Sequence, residues 1–298
     1  MRKLSGIFLV GLCLGAVGAV VVTARHSSAA VPQPIAAAEF VTPTSATPTP
    51  TPTSTPAPAA KTEPSASSAT SAPAAKGQPA NVNAAALDNI VGDGEVSAVV
   101  FDRERGAVVT SVRADRAYTS ASLVKLLIAL SALEQGGPVA DVQRMLSRSD
   151  DDLASRFWTA YGGPSIVTHW TTKLGLTGTR PPEEPGRWGD TRITASDIVR
   201  IYRYLLDHKS IAILNALHDA TERGADGFRQ YFGIPDAAAG QQWAVKQGWS
   251  CCRPTRMLHT TGVVGHYIVV VLTEHPAKVD YATGSRRVTE IVSTLLGG

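Results

Sequence analysis

From about residue 82 onward the apolar positions change period several times, and each change predicts an element. A short helix is expected first. Glu95–Asp102 (EVSAVVFD) is a β-branched apolar run, RERG reads as a turn, and Ala107–Val112 (AVVTSV) completes a hairpin. Residues 122–133 carry apolar side chains on nearly every face, the pattern of a buried helix. Residues 139–146, 151–161 and 165–174 have helical spacing, with Gly162-Gly163-Pro164 between the last two. Residues 181–189 (PPEEPGRWG) predict an irregular loop. Thr194 is placed to cap a helix whose Ile198, Ile201, Tyr202 and Leu205 form one stripe. After a helical stretch at 211–220, strands are expected at 243–249, 258–264 and 267–273. The chain then closes on a helix with Val288, Ile291, Val292 and Leu295 on one face. The order predicts an α+β fold: an antiparallel sheet of about five strands, terminal helices on one face, and an all-helical lobe inserted in the middle.

The first 81 residues follow different rules. Arg2 and Lys3 precede residues 4–24, a run of 21 without a charge. A cleaved secretory signal has an apolar core of about 7–15 residues, and a spanning helix needs roughly 20. The length predicts a signal anchor at 1–29, with Ser28-Ala29-Ala30 as the alternative cleavage site. Cys13 follows Leu12, not a small residue, and reads as apolar filler, not a lipid site. Residues 30–81 are mostly Thr, Pro, Ala and Ser, with almost nothing to bury, and predict an extended tether. Positive charge before the apolar run, with no basic cluster after it, places the remainder outside the cytoplasm. That remainder, 82–298, is long enough for one domain with its own core.

Composition narrows the chemistry. With 18% charged residues and a net charge of +3, nothing marks a nucleic-acid binder. Cys251 and Cys252 are adjacent, and their Cα atoms across a trans peptide stand at about 3.8 Å, short of the usual disulfide span of about 4.4–6.8 Å. A vicinal bridge is possible only with strain, and two thiols in or beside a strand are the favoured expectation. No His/Cys spacing supports a metal, and His169, His259 and His266 read as structural or surface residues.

Three short signals carry candidate chemistry. Ser122 heads an apolar helix, among unpaired N–H groups and the positive end of the helix dipole. Lys125, one turn on, is the only charge between Ser122 and Leu133, and burial that favours its neutral amine makes it a candidate base. Read alone, the pair also fits a helix cap and a lysine reaching for water. Ser149-Asp150-Asp151 opens another helix, where a plain N-cap is the simpler reading. Lys246-Gln247-Gly248 lies on an apolar strand, where a lysine needs a partner or a cleft.

Taken in order, these signals resemble the three motifs of the class A serine β-lactamase and penicillin-binding protein superfamily. RADRAYTSASLVK is similar to that family's approach to its nucleophile. The segment 139–180, through its Ser-Asp pair, Gly-Gly-Pro and Leu-Gly…Thr-Arg, resembles class A across its length, and WAVKQG with two strands and a helix resembles the C-terminal half. The resemblance implies that Ser122 is acylated, that Lys125 takes or relays its proton, and that Ser149 passes a proton toward the leaving nitrogen. It further implies that Lys246 helps bind a substrate carboxylate, and that the backbone N–H groups of Ser122 and Trp249 form an oxyanion hole. Asp151, Gln247, Gly248 and Trp249 fall on its substrate-binding positions. No cofactor is implied, and a monomer is expected.

Four departures bear on activity. Asp151 stands where the family has Asn, and a carboxylate accepts hydrogen bonds without donating them. Gln247 replaces a small hydroxyl residue. The interval from Ser122 to Ser149 is roughly half the family's, which leaves the site more open. In TRPPEEPGRWGDTRIT, Glu184-Pro185 matches the Glu-Pro whose carboxylate activates the deacylating water, but out of register, with Glu183 as a second candidate and Trp188 near the place of a missing Asn. The expectation is an extracytoplasmic serine hydrolase acting on β-lactams through a Ser122 acyl-enzyme, with weak turnover. The alternatives are a D-Ala-D-Ala peptidase that deacylates slowly, or a non-catalytic binder of cell-wall peptides.

Overall fold

The computed structural model describes residues 82–297, so the anchor expected at 1–29 and the tether at 30–81 lie outside the described residues. A five-stranded antiparallel sheet runs in the order β2-β1-β7-β6-β5. Its strands are β1 (Glu95–Asp102), β2 (Ala107–Val112), β5 (Trp243–Ser250), β6 (Arg256–Val264) and β7 (Tyr267–His275). Alternation along the strands splits the apolar side chains between two cores. Val96, Ala98 and Val100 join Val269, Val271 and Leu258 on the face covered by α1 (Ala84–Val91) and α9 (Tyr281–Leu295). Val99, Phe101, Ile268, Val270 and Leu272 face the other way, toward α6 (Ala195–Asp207) and the inserted lobe. That lobe holds α2 (Lys125–Glu134), α3 (Val139–Ser147), α4 (Asp151–Ala160), α5 (Pro164–Leu174) and α7 (Ile211–His218). Full burial of each Val, Leu or Ile contributes about 1.5–3 kcal/mol, so a strand buried on both faces is held strongly.

Local differences from the sequence reading have identifiable causes. The helix expected from residue 122 opens with a 3₁₀ turn, Ala121–Val124, before α2 begins. Its entry is tied to the 181–191 loop: Ser120 N donates to Thr191 O (2.8 Å) and Ser120 Oγ to Gly189 O (3.1 Å). A two-residue pair, β3 (Tyr118–Thr119) with β4 (Arg192–Ile193), is too short for any periodicity to announce. Helix α9 begins earlier than its apolar stripe, at a cap where Asp280 accepts from Thr283 N (2.7 Å). Gly284 lies inside that helix because a Cβ there would come within 2.4 Å of Leu258 Cδ1. Thr194 caps α6 as expected, accepting from Asp197 N at 3.2 Å. Cys251 and Cys252, expected as two thiols, are instead joined as a vicinal disulfide just past β5. A short α8 (Ile234–Ala237) packs against α9 and the edge strand β5. Among the described residues no helix is long and apolar enough to cross a membrane, and no His/Cys/Asp/Glu cluster is able to hold a metal.

Candidate active site

Strand β5 forms the sheet edge against the 3₁₀ turn Ala121–Val124, and α4 starts beside them. This packing brings one serine from the turn, one lysine from α2, one serine before α4 and one lysine from β5 together. Lys125 Nζ stands 2.9 Å from Ser122 Oγ, 2.8 Å from Ser149 O and 3.2 Å from Ser149 Oγ. Lys246 Nζ approaches the same Ser149 Oγ at 3.0 Å and donates to its neighbour's carbonyl, Gln247 O, at 2.9 Å. One hydroxyl thus bridges two lysines. The two residues that aim the hydroxyls, Ala121 (φ +47°) and Ser149 (φ +51°), both sit in the left-handed region. For non-glycine residues this costs on the order of 1–3 kcal/mol and persists only where surrounding contacts impose it.

Both lysines are fully buried. Burial lowers the pKa of Lys125, an effect that Asp151 opposes by charge and hydrogen bond. Burial also takes Lys246 well below the ordinary lysine range, helped by repulsion from Lys125. The arrangement therefore favours a single positive charge shared over two amines. A neutral Lys125 amine is positioned to accept the Ser122 hydroxyl proton. Ser149 is positioned to carry a proton onward.

The remaining predicted residues separate into two groups. Asp151, on the first turn of α4, meets Lys125 through Oδ1 at 2.5 Å while its side chain stays 65% exposed. Trp188 lays its ring 4.9 Å from Lys125 Nζ and donates from Nε1 to Ser155 Oγ on α4 (3.2 Å). Trp249 donates from its indole to Asp226 Oδ2 (3.0 Å) and stacks on Phe228 at 4.8 Å. Gly248 is required by packing, since a Cβ would lie 3.0 Å from Ser120 O and 3.2 Å from Leu123 Cγ. Ser122, Asp151, Trp249 and residues 186–190, Trp188 among them, line a cavity of about 340 Å³.

Of the predicted residues, the side chains of Gln247 and Glu184 make no contact with the Ser122 group and do not line that cavity. Gln247 is buried, and its amide donates to Gln230 O (3.0 Å) and Phe232 O (2.6 Å), with no partner for Oε1. Glu184 is 74% exposed, its nearest ionic neighbour being Arg187 at 3.9 Å. The cause is visible next door. Pro185 O accepts from Trp158 Nε1 (2.8 Å), which pins the loop to α4 while Glu184 points out. Glu183 and Glu184 line a neighbouring cavity of about 300 Å³ that shares Arg187, Asp190 and Ser250 with the first.

Sequence reasoning missed the groups that hold the cavity's aromatic walls. Asp226 and Phe228 sit far from any motif, and Ser155, one turn past Asp151 on α4, reaches Trp188 across 33 positions, so only long-range packing assembles them. Asp190 and Arg187 were hidden in a loop with no periodic signal. His259 proves structural: its ring spans Thr119 O (2.8 Å) and Thr273 N (3.2 Å), tying β3 to the sheet under the nucleophile turn. A larger cavity of about 700 Å³ lies between α9 and the 228–236 segment, and none of the Ser122 partners lines it.

Comparison with solved structures bears on the fold. A β-lactamase from Chitinophaga pinensis superposes with a TM-score of 0.59 at 13% identity, over 72% of this chain and 97% of that one. A class A β-lactamase from Bacteroides cellulosilyticus gives 0.60 at 12% identity, over 72% and 95%. PBP-A gives 0.57 at 14%, over 72% and 94%. No family model matches the sequence. Proteins named "Putative lipoprotein LppW" in Mycobacterium bovis and Mycobacterium tuberculosis are 35% identical over 256 residues, 79% of this chain and 80% of theirs. The chain therefore belongs to the LppW family and has the serine β-lactamase-like fold.

Proposed function

We propose that this chain is an acyl-transfer serine hydrolase whose Ser122 attacks the carbonyl of a β-lactam or a D-Ala-D-Ala-type peptide, and which releases the acyl group slowly. The single observation carrying this reading is the Ser149 hydroxyl set between Lys125 and Lys246 with Ser122 within reach. In the step, Ser122 Oγ bonds to the carbonyl carbon and the C–N bond breaks. The hydroxyl proton passes to neutral Lys125 and through Ser149 to the leaving nitrogen. A proton held at a well-placed base in this way contributes about 10²–10⁴-fold. The Ser122 and Trp249 N–H groups are the proposed oxyanion donors. Hydrolysis of the ester needs a base for water, and Glu184, the Glu-Pro candidate for it, is exposed and does not line the Ser122 cavity, which supports slow release. In support, a variant of the fold neighbour PBP-A carries penicillin G as an acyl-enzyme.

The catalytic domain in this reading is 82–298, held outside the cytoplasm by an anchor at 1–29 through the tether at 30–81. The name of the LppW relatives supports a place at the membrane. All the catalytic groups come from one copy of the chain, so a monomer suffices.

A second reading, a binder without turnover, draws on Asp151 and Trp188, which together stabilise a charged Lys125. One experiment separates them: incubation with a fluorescent penicillin, followed by mass spectrometry of the Ser122 peptide. A lasting adduct, absent in Ser122→Ala, supports slow-releasing acylation. A transient adduct with hydrolysed product makes the protein a β-lactamase. No adduct with this or any neutral acylating probe leaves the binder.

A further inference from the structure

We propose that Asp151 is the base that activates water in the release step, so that the deacylating carboxylate of this chain stands on α4 and not on the 181–191 loop. The inference rests on the acylation reading above and assigns the step which that reading leaves slow.

Two carboxylates line the cavity that holds Ser122, Asp151 and Asp190, and both are paired. Asp190 Oδ2 meets Arg187 Nε at 2.5 Å, and among the described residues no hydrogen bond or ion pair joins it to Ser122, Lys125 or Ser149. Asp151 Oδ1 meets Lys125 Nζ at 2.5 Å, and that Nζ lies 2.9 Å from Ser122 Oγ. Asp151 therefore stands two hydrogen bonds from the atom that carries the acyl group, and Asp190 has no such link. An ionised carboxylate offers two oxygens with about four lone-pair sites. Lys125 takes Oδ1, and Oδ2 is left to accept from a water in the cavity, where the side chain is 65% exposed. A base must be held within reach of the proton it takes. Lys125 fixes the side chain, and Asp150 fixes the helix start by accepting from Leu153 N at 3.0 Å.

In the step, the water oxygen bonds to the ester carbonyl carbon and one of its protons passes to Asp151 Oδ2. The bond from that carbon to Ser122 Oγ then breaks, and the Lys125 ammonium gives a proton to Oγ. The proton on Asp151 returns to the Lys125 amine, and the acid product departs. The pair acts in opposite senses in the two half-reactions. Acylation needs a neutral Lys125, which Asp151 opposes, whereas release needs the ammonium and the carboxylate together. A carboxylate with one oxygen committed to an ammonium is a modest base, in keeping with release that is slow but finite.

The full-length protein is labelled with fluorescent penicillin, excess probe is removed, and loss of the adduct is timed by intact-protein mass spectrometry. Asp151→Asn, with Asp151→Ala as a second variant, lengthens the half-life about tenfold or more, since a placed base contributes about 10²–10⁴-fold. Asp151→Glu, which keeps a carboxylate, releases faster than Asp151→Asn. Asp190→Asn stays within about twofold of wild type, having no base to lose at the ester. Hydroxylamine attacks without first losing a proton, so it cleaves the wild-type and Asp151→Asn adducts at rates within about threefold of each other. An unchanged half-life in Asp151→Asn and Asp151→Ala, or one lengthened as much in Asp190→Asn, overturns the inference while acylation stands. A hydroxylamine rate that falls as far as the rate with water does the same. If wild-type Ser122 takes no adduct, the acylation reading falls and this inference falls with it.

Discussion

Asp151 Oδ1 lies 2.5 Å from Lys125 Nζ, so the amine within reach of Ser122 is held by a carboxylate from the helix beside it. Burial lowers the Lys125 pKa, and Asp151 raises it again by stabilising the ammonium. Acylation requires the neutral amine, so labelling of Ser122 by a neutral fluorophosphonate rises with pH through the Lys125 titration. Asp151→Asn removes the stabilising charge, and the rising limb moves to lower pH, because a close opposite charge favours the ammonium. An unmoved or raised midpoint would show that Asp151 does not set the base.

Ser149→Ala tests the bridge itself. The substitution removes the hydroxyl between the lysines but leaves Lys125 its contacts to Ser122, Ser149 O and Asp151, and leaves Lys246 its bond to Gln247 O. The variant is expected to fold, with penicillin acylation reduced by about 10²-fold or more. Thermal unfolding and the rate of adduct formation are measured together. A normal rate in a folded variant would remove Ser149 from the proton path.

The two lysines of this site were legible because each breaks a local rule: inside an apolar helix or an apolar strand, a lysine is costly unless it meets a partner. The two serines break no rule at helix starts, and only their order with the lysines marked them. The sheet was legible for the converse reason, since β1 and β7 carry apolar runs (VVF and YIVVVL) and bury both faces. Side-chain direction was not legible where packing decides it. Gln247 follows Lys246 on an edge strand, and only the Gln230 and Phe232 carbonyls draw its amide away from the cavity. Glu184 is likewise set by Trp158, a residue 26 positions earlier that grips the following proline carbonyl. A loop without periodicity gives no warning of either.

That loop yields a direct expectation. Glu184→Gln leaves the half-life of the Ser122 adduct within about twofold, because the carboxylate is exposed and lines a different cavity. Release of acyl group is timed by intact-protein mass spectrometry after excess probe is removed. A tenfold longer half-life in Glu184→Gln would mean that the loop swings Glu184 to the ester after acylation.

Below the catalytic groups, His259 and His275 make the fold sensitive to mild acid. Both are buried, both reach Thr273, and burial holds each pKa down at about 4 against an ordinary 6.5. For His259 the reason is explicit, because Nδ1 accepts from Thr273 N and must stay unprotonated. A depressed histidine pKa means that the unfolded chain binds the proton first. Stability is therefore full above pH 6.5, falls as the pH drops through 6.5 toward 4, and levels off below, where the folded state binds the proton too. Within that window the slope approaches about 1.4 kcal/mol per pH unit for each histidine. Measurement between pH 6.5 and 5 keeps clear of most carboxylate titration. His259→Gln is expected to unfold more readily at pH 7, having lost a ring that ties β3 to the sheet, and to show a shallower dependence on pH. Denaturant midpoints across this range decide the matter, and a variant with the wild-type slope would place the acid sensitivity elsewhere in the fold.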